Sequence, residues 1–525
     1  LDSKFKTYLK KSILLFVILQ PFLDIFWLYQ PPIADFLGMS PATIIRLLFI
    51  AAIGILYLIA SSNKKTNLFL AGYGVLLIVY FVFHQMNASK FTSYSPTNFS
   101  YSTMGELFYL VRMVIPIFLI IVTEQTTFSN PQIERVVDWL VGLVAGSIVV
   151  TNLLVISLGS YLHQWGKGNL IQQYAHQRIT GNIFMWFVPN QSAGTYYGLA
   201  SKGFFNHANT TGVVLAMLTP LICYYLVKKL NAKNIILVTI QILACFEIGT
   251  KVAAYGALAT VFIYLGLYLF FALAKHELSF NWKVLMVLGI FLVGSLGLRQ
   301  FAPGVNRQFS EEEVVEQRKE QKKEKKINWK KELKRLETAS KKEKVAFITK
   351  HKDSLAVTSD FVFKYYPVKN DPDFWLDVFS WPISQQMNYR LLHKSIWAHV
   401  SAINNNPKDK WLGFGYTRLS NLGLIETDFV SHFYSLGILG MLLLVVPYVG
   451  CLLYAIIYML FHFKRTVTLF NTSLVLSIAL CLGASLVSGY VMDYLTATII
   501  LSFLVGLLFN RIKRPKPKVI NYATN

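Results

Sequence analysis

Six ionisable residues of this chain lie in or at the ends of long apolar stretches: Asp24, Arg46, Glu106, Arg112, Glu247 and Lys251. A charge in hydrocarbon is costly, so such residues mark a site or path for a polar substrate. Once the topology below is drawn, all six fall toward the same end of their helices. That placement predicts a polar cavity opening on one face of a membrane, as an enzyme acting on a lipid-linked polar substrate or a transporter would need.

Four local patterns add to the cavity. Lys202-Gly-Phe-Phe-Asn206-His207-Ala-Asn209 precedes an apolar run. Polar residues at a helix start ordinarily act as caps. Beside Lys202 the same helix N-terminus also suits phosphate, because free N–H groups and the positive dipole end attract anions. Glu247-Ile-Gly-Thr250-Lys251 puts a cation between two apolar runs, where Lys251 either pairs with Glu247 or adds a second charge for a phosphate. In Arg390-Leu-Leu-His393-Lys394-Ser-Ile-Trp397-Ala-His399, helical spacing gathers Arg390, His393, Lys394 and Trp397 on one face, with His399 opposite. A solvated face with a tryptophan anchor has the same pattern. Finally, Glu426-Thr-Asp428 precedes an apolar run containing Gly437-Ile-Leu-Gly440; acids there are normal helix-start residues, and they would also stand at the cavity rim facing the cations.

The elements that must position these residues are membrane spans. Of 525 residues, 54% are hydrophobic, and the mean hydropathy is +0.46. Apolar runs long enough to cross a bilayer recur about twelve times, at approximately 11–30, 42–60, 67–85, 104–123, 134–157, 208–226, 234–250, 252–275, 283–299, 431–460, 468–491 and 493–510. A soluble core cannot use so many, so the fold class is all-α, a polytopic integral membrane protein. Lysine and arginine in the short loops orient it: about 19 fall on the side of the N-terminus and about five on the other. Both termini are therefore expected in the cytoplasm. The first span has no small-residue cleavage site and is expected to begin the membrane domain.

Residues 1–299 then carry nine helices, with an outer loop at 158–207. Residues 300–430 form a large extracytoplasmic loop between the ninth and tenth helices, and 431–525 carry the last three helices and a basic cytoplasmic tail. About half of the lysines and arginines occupy the large loop, concentrated in the Lys/Glu-rich stretch 303–370. Opposite charges three or four residues apart there predict a surface helix or helical hairpin. Its basic charge either stays solvated or rests on anionic headgroups or an anionic glycan. No nucleic-acid-binding motif accompanies it, so no nucleic acid partner is expected. The rest of the large loop is rich in tryptophan, as the outer loop is around Trp165, Trp186, Tyr196 and Tyr197. Such rings stack on sugars or anchor at a membrane interface. All four cysteines lie in spans, so no disulfide framework is implied. HExxH, the P-loop and GxGxxG are absent, and Asp371-Pro-Asp373 reads as a turn, so neither metal nor other cofactor is expected.

In order and position these motifs resemble those of the O-antigen ligase and polysaccharide polymerase superfamily, membrane glycosyltransferases of bacterial envelopes. Gly203-Phe204-Phe205 through Asn209 resembles that family's element at the sixth span, and Thr250-Lys251 its Thr-Lys element at the eighth. Lys410-Trp411-Leu412-Gly413-Phe414-Gly415 resembles its Gly-x-Gly loop element, with the proline displaced to Pro407. Glu426-Thr427, nine residues, then Gly437-Ile-Leu-Gly440 keeps the spacing of its His-(Asn/Ser/Gln) element, with Glu in place of His, as in many Gram-positive relatives. The likeness covers most of the chain apart from the 303–370 insert.

The resemblance implies a GT-C-like fold in a bacterial cytoplasmic membrane. It also implies transfer of a glycan from a polyprenyl-pyrophosphate donor to an acceptor hydroxyl on the outer face. Its partners would be that lipid-linked glycan, membrane lipids and other polysaccharide assembly proteins. Fixed cations would stabilise the departing pyrophosphate, with Lys251, Arg390, Lys202 and Arg112 available and Asn209 and Trp397 as further substrate contacts. A general base would take the acceptor's proton: Glu426 by position, with Asp428 or His393 as alternatives. Replacement of the ligase histidine favours polymerisation over ligation. The alternative class is a flippase of lipid-linked glycans, which would ordinarily show two related halves.

Overall fold

The computed structural model describes residues 2–25, 28, 40–60, 63–92, 99–160, 180, 182–188, 199–324, 327–422, 426–489 and 491–513. Among them the chain is helical, with isolated β-bridges at Ile25–Phe205 and Gly159–Ser201 and no sheet. Trp165, Tyr196, Tyr197 and the basic tail from Arg514 fall outside the described residues.

The long helices are α1 (Asp2–Leu23), α2 (Pro41–Ala60), α3 (Lys64–Ala88), α4 (Thr103–Gln125), α5 (Asn130–Leu153), α6 (Ala208–Lys228), α7 (Ala232–Glu247), α8 (Lys251–Ala274) and α9 (Trp282–Phe301). The segment after α9 holds α10 (Pro303–Glu324), α11 (Trp329–Glu337), α12 (Lys341–Lys350), α13 (Pro372–Ser380), α14 (Tyr389–Asn404) and α15 (Tyr416–Leu422). Then follow α16 (Asp428–Phe461), α17 (Leu469–Val487) and α18 (Leu495–Lys513). Ten helices in the described residues are long and apolar enough to cross a membrane. The sequence expected about twelve. The two that differ are α1, whose first half carries Lys4, Lys6, Lys10 and Lys11, and α7, which has only 16 residues.

Helices α6 and α18 are buried almost throughout and form the centre of the bundle. α18 packs on α4, α6 on α17, α7 and α8, and α1 on α2. Lipid-length helices with apolar residues on all sides read differently: α3, α9 and α2 leave most of their surface outward, as with Leu68, Ile78, Val293 and Leu58.

The segment between α9 and α16 has a core of its own. Trp375 and Trp397 are fully buried, with Phe99, Leu336, Ile348, Phe374, Phe379, Phe414 and Leu419 around them. The expected hairpin in the insert is three helices, α10 to α12. Asp371 caps α13 by accepting the N–H of Phe374 at 3.1 Å, so Asp371-Pro-Asp373 is a helix start with proline in its first turn.

Candidate functional site

The charge-bearing segments at the loop ends of α1, α2, α6 and α7 join through one ion pair and several backbone contacts. Asp24, after α1, accepts Nη2 of Arg46 at 3.0 Å, and Arg46 also donates to Gln20 at 2.9 Å and to Thr496 of α18 at 2.6 Å. A buried pair costs several kcal/mol of desolvation per ion, roughly, and these added hydrogen bonds offset it. The Asp24 carbonyl accepts the Asn206 N–H at 2.9 Å, and the Asn206 carbonyl accepts Nζ of Lys202 at 3.0 Å. Lys202 is wholly buried, and burial pushes its ammonium down to about 8. Beside it, the Ser201 N–H donates to the Glu247 carbonyl at 2.7 Å. The Glu247 carboxyl is buried, and its Oε2 has no hydrogen-bond partner among the described residues.

Asp493, in the turn before α18, is the hub of a second set. Tyr109 donates to it at 2.9 Å, His432 Nε2 lies at 3.5 Å and Arg112 Nη2 at 3.8 Å. The Arg112 guanidinium sits 5.2 Å from the ring centres of both Tyr109 and Tyr416, which stack on each other at 3.8 Å. Such cation–π contacts hold a guanidinium without neutralising it. The Arg112 side chain is 29% exposed, with its Nε and Nη2 buried, while those of Asp493 and His432 are 4% and 0% exposed. Arg112 lies about 13 Å along α4 from its start, by helical rise.

Asp428 opens α16, and its Oδ2 accepts the N–H groups of Val491 and Met492, each at 2.9 Å. Its carbonyl meets His432 Nδ1 one turn on. The carboxylate thus ties α16 to the turn bearing Asp493. Tyr494 lies 3.1 Å from His207 Nε2 at the start of α6, which links this set to the Lys202 loop.

A third set seats the loop segment on the bundle. Glu106 of α4 accepts the Thr417 N–H at 2.6 Å and its hydroxyl at 2.8 Å, and its other oxygen lies 3.5 Å from His84 of α3. Asp409 receives Asn87, Asn404 and Asn406; burial raises its pKa above the usual aspartate value despite those bonds. The Gly-x-Gly element and the Gly-x-x-Gly element pack backbone to backbone. A Cβ on Gly413 would meet the Ser435 carbonyl oxygen at 2.3 Å, and one on Gly437 the Trp411 carbonyl carbon at 2.4 Å. Gly437, at φ +68° and ψ −178°, breaks α16. The freed Leu436 carbonyl accepts Tyr80 Oη at 2.8 Å, while Phe414 and Gly415 donate to Tyr434 and Ser435 at 2.8 and 3.0 Å.

The residues singled out from sequence are spread over this face. Glu426 and Arg390 meet at 3.2 Å, each partly exposed, near Asp428 in the chain. Lys251 starts α8 on the rim of a recess with Thr250, Tyr255 and Arg299, whose lining does not include Arg112, Asp493 or Glu426. The break at Gly249 puts Glu247 inside the bundle and leaves Lys251 exposed, so the two do not share a helix face. Lys202 faces the Asn206 carbonyl rather than open space, and Asn209 is half-buried in the first turn of α6. His393 is buried with its ring 5.0 Å from Phe361, and Trp397 is 0% exposed between Phe99 and Phe414, leaving no ring face open to a sugar. α14 turns His393 and Trp397 inward and Lys394 outward, because Leu392, Ile396 and Val400 flank the same buried stripe.

His84, Tyr109, Tyr416, His432 and Asp493 were not picked out from sequence. The signal for His432 was present: it follows Asp428 by one helical turn. Asp493 offered only a lone acid before the last apolar run. Among the described residues no group of three His, Cys, Asp or Glu is arranged to hold a metal ion.

Membrane-length helices around buried polar groups, with a separately cored segment at one end, define a multi-pass membrane protein. A family model described as "O-antigen ligase like membrane protein" matches residues 6–515, and the chain belongs to that family. Membership implies a membrane enzyme that transfers glycans. A comparison with curated proteins gives no match.

Proposed function

We propose that this chain polymerises an envelope polysaccharide, moving a glycan from a polyprenyl-pyrophosphate donor to an acceptor hydroxyl on the outer face of the bacterial cytoplasmic membrane. On this reading both termini are cytoplasmic, α1 and α7 also span the bilayer to give about twelve spans, and the fold is GT-C-like. The observation that carries it is Arg112: a guanidinium well along α4, clamped by two tyrosine rings and Asp493, on a side chain that is partly exposed where Asp493 and His432 are buried.

The acceptor oxygen attacks the anomeric carbon, the bond to pyrophosphate breaks, and the proton passes to a carboxylate. Arg112 and Arg390 hold the growing negative charge on the leaving pyrophosphate, while Lys251, on its recess with Arg299, binds another part of the substrate. Glu426 takes the proton, being more exposed than Asp428. Its carboxylate is engaged by Arg390 at 3.2 Å. An arriving pyrophosphate, richer in charge than a carboxylate, draws Arg390 away and leaves Glu426 able to accept a proton. Asp428 acts by holding the backbone at 491 and 492, Lys202 by holding the Asn206 loop, and His393 and Trp397 by packing α14. Asn209 sits where α6 opens toward the donor. The scheme requires no metal.

The test is purified full chain with polyprenyl-pyrophosphate oligosaccharide, following product length and released lipid pyrophosphate. Wild type lengthens glycan, while Lys251→Ala, Arg112→Ala and Glu426→Gln do not although they stay folded. Transfer to a different acceptor makes it a ligase. Movement of lipid-linked glycan across a proteoliposome membrane without transfer overturns the enzyme reading in favour of a flippase.

A further inference from the structure

The insert, whose basic charge the sequence left either solvated or resting on anionic headgroups or an anionic glycan, is a fixed part of the loop-end core. α11 turns Leu336 inward and α12 turns Ile348 inward, both 0% exposed, into the cluster that includes Trp375, Trp397 and Phe414. Trp329 stacks on Phe379 at 5.8 Å, and Lys344 reaches from α12 to Asp373 at 2.6 Å and to the Glu337 carbonyl at 3.1 Å. Asn328 caps α11, and a reciprocal Ser340–Glu343 capping box starts α12. Whatever binds the outward face of these helices is therefore held by the same body that carries Gly413 to Gly415 and Tyr416.

That outward face is cationic. Lys330, Lys331, Lys334 and Arg335 are exposed on α11, and Lys341, Lys342 and Lys350 on α12, followed by Lys352. Between 328 and 353 there are nine Lys or Arg against four Asp or Glu. Two of those acids are engaged locally, Glu332 with Arg335 at 3.1 Å and Glu343 in the capping box. Lys330 and Lys334 are one turn apart, about 6 Å along the axis. This is closer than the Debye length of about 8 Å in physiological salt, so their repulsion is felt and a polyanion would relieve it.

The same face has no apolar anchors. From 327 to 353 no large hydrophobic side chain is exposed, whereas Phe184 and Phe187 elsewhere in the chain are 67% and 51% exposed. Helices that lie on lipid combine basic residues with protruding aromatic or aliphatic ones. A row of cations without them fits a hydrated, flexible polyanion better than a bilayer surface.

We infer that the outward face of α11 and α12 binds an anionic glycan, and hence that the polysaccharide this chain handles carries repeating negative charges. The second half rests on the glycan-transfer reading above; the first does not. The face would hold the growing or incoming glycan beside the site by charge, leaving the chemistry to the residues already described.

The test uses the full chain in phosphatidylcholine nanodiscs with labelled polygalacturonate, neutral dextran of matched length, and phosphatidylglycerol vesicles. Polygalacturonate is expected to bind and dextran not to, with affinity falling as salt rises. Joint substitution of Lys330, Lys331, Lys334, Lys341 and Lys342 by Gln is expected to weaken binding about tenfold or more. Gln at Lys11, Lys64 and Lys65, at the far end of the bundle, is expected to leave it unchanged. All of these positions are exposed, so folding is not at stake. Equal binding of dextran overturns the inference, as does full binding by the five-fold variant. Capture of the nanodiscs by phosphatidylglycerol vesicles without polygalacturonate binding also overturns it and makes the partner a lipid surface. Because binding is read without turnover, a chain that binds but transfers nothing sinks the transfer reading alone, and one that transfers without binding sinks only this inference.

Discussion

Substituting Gly437→Ala tests the idea that two glycine elements lock the loop segment onto α16. At φ +68° and ψ −178° the residue occupies a region essentially reserved for glycine, and a side chain there costs about 1–3 kcal/mol. The new Cβ would also lie 2.4 Å from the Trp411 carbonyl carbon and 2.5 Å from the Leu412 nitrogen. Those are backbone atoms that cannot swing aside, so overpacking adds about 1–3 kcal/mol more. Relief requires the Trp411–Gly415 backbone to lift away, losing the bonds from Phe414 and Gly415 to Tyr434 and Ser435. A destabilisation of about 2–6 kcal/mol is expected, together with loss of glycan transfer as Tyr416 leaves Arg112. Unfolding in mixed micelles, monitored by tryptophan fluorescence, measures the first. The control is Gly483→Ala within α17, where a Cβ meets nothing within 4 Å, and helix propensity predicts a gain of up to about 1 kcal/mol. Unfolding of Gly437→Ala within about 0.5 kcal/mol of wild type, the scatter of ordinary surface changes, would refute the glycine lock.

Further outcomes follow from the other sets. Arg112→Ala and Asp493→Asn should each lower release of lipid pyrophosphate by about a hundredfold, the usual scale for removing a preorganised group; rates within threefold of wild type would remove Arg112 from the site. Lys202 has its pKa near 8 folded against an ordinary 10.5, so its burial penalty is fully present below pH 8 and fades as pH rises to 10.5. Between pH 7 and pH 10.5 the stability of wild type relative to Lys202→Met should therefore rise by about 2–3 kcal/mol, whatever Met loses with the bond to the Asn206 carbonyl. A pH-independent difference in unfolding free energy would contradict this. Trp375 is fully buried and donates to the Tyr366 carbonyl at 2.9 Å. Trp375→Ala should cost about 3–5 kcal/mol and speed proteolysis between 300 and 430 while the bundle stays intact, and unchanged cleavage would show that the segment has no independent core.

Much of the fold is legible in the sequence because membrane spans are a local property: length and apolarity of one stretch suffice. α7 shows where that rule gives out, since its 16 residues, closed by the Gly249 break, fall short of a membrane-length helix. The glycine elements were legible as spacing, but not their purpose, which is the close approach of two backbones 24 residues apart at Gly413 and Gly437. α14 shows the opposite failure. Its spacing put His393 and Trp397 on a functional face, and the aromatic cluster of the loop segment claimed that face instead, because neighbouring Leu392, Ile396 and Val400 bury it.

By itself, then, the sequence determined a multi-pass helical protein, the gathering of its buried charges at one end, a charged helical insert and the family resemblance. The first three depend on composition and short-range patterning, and the resemblance on the order and spacing of its motifs. The tertiary structure decided the partners: Arg46 with Asp24 rather than any other acid, Arg112 and His432 on Asp493, Glu106 on Thr417, and Lys251 on a recess with Arg299. Partner choice among like residues tens to hundreds of positions apart turns on which helices pack together and how each is rotated. That is a property of the assembled bundle, and no single stretch of chain carries it.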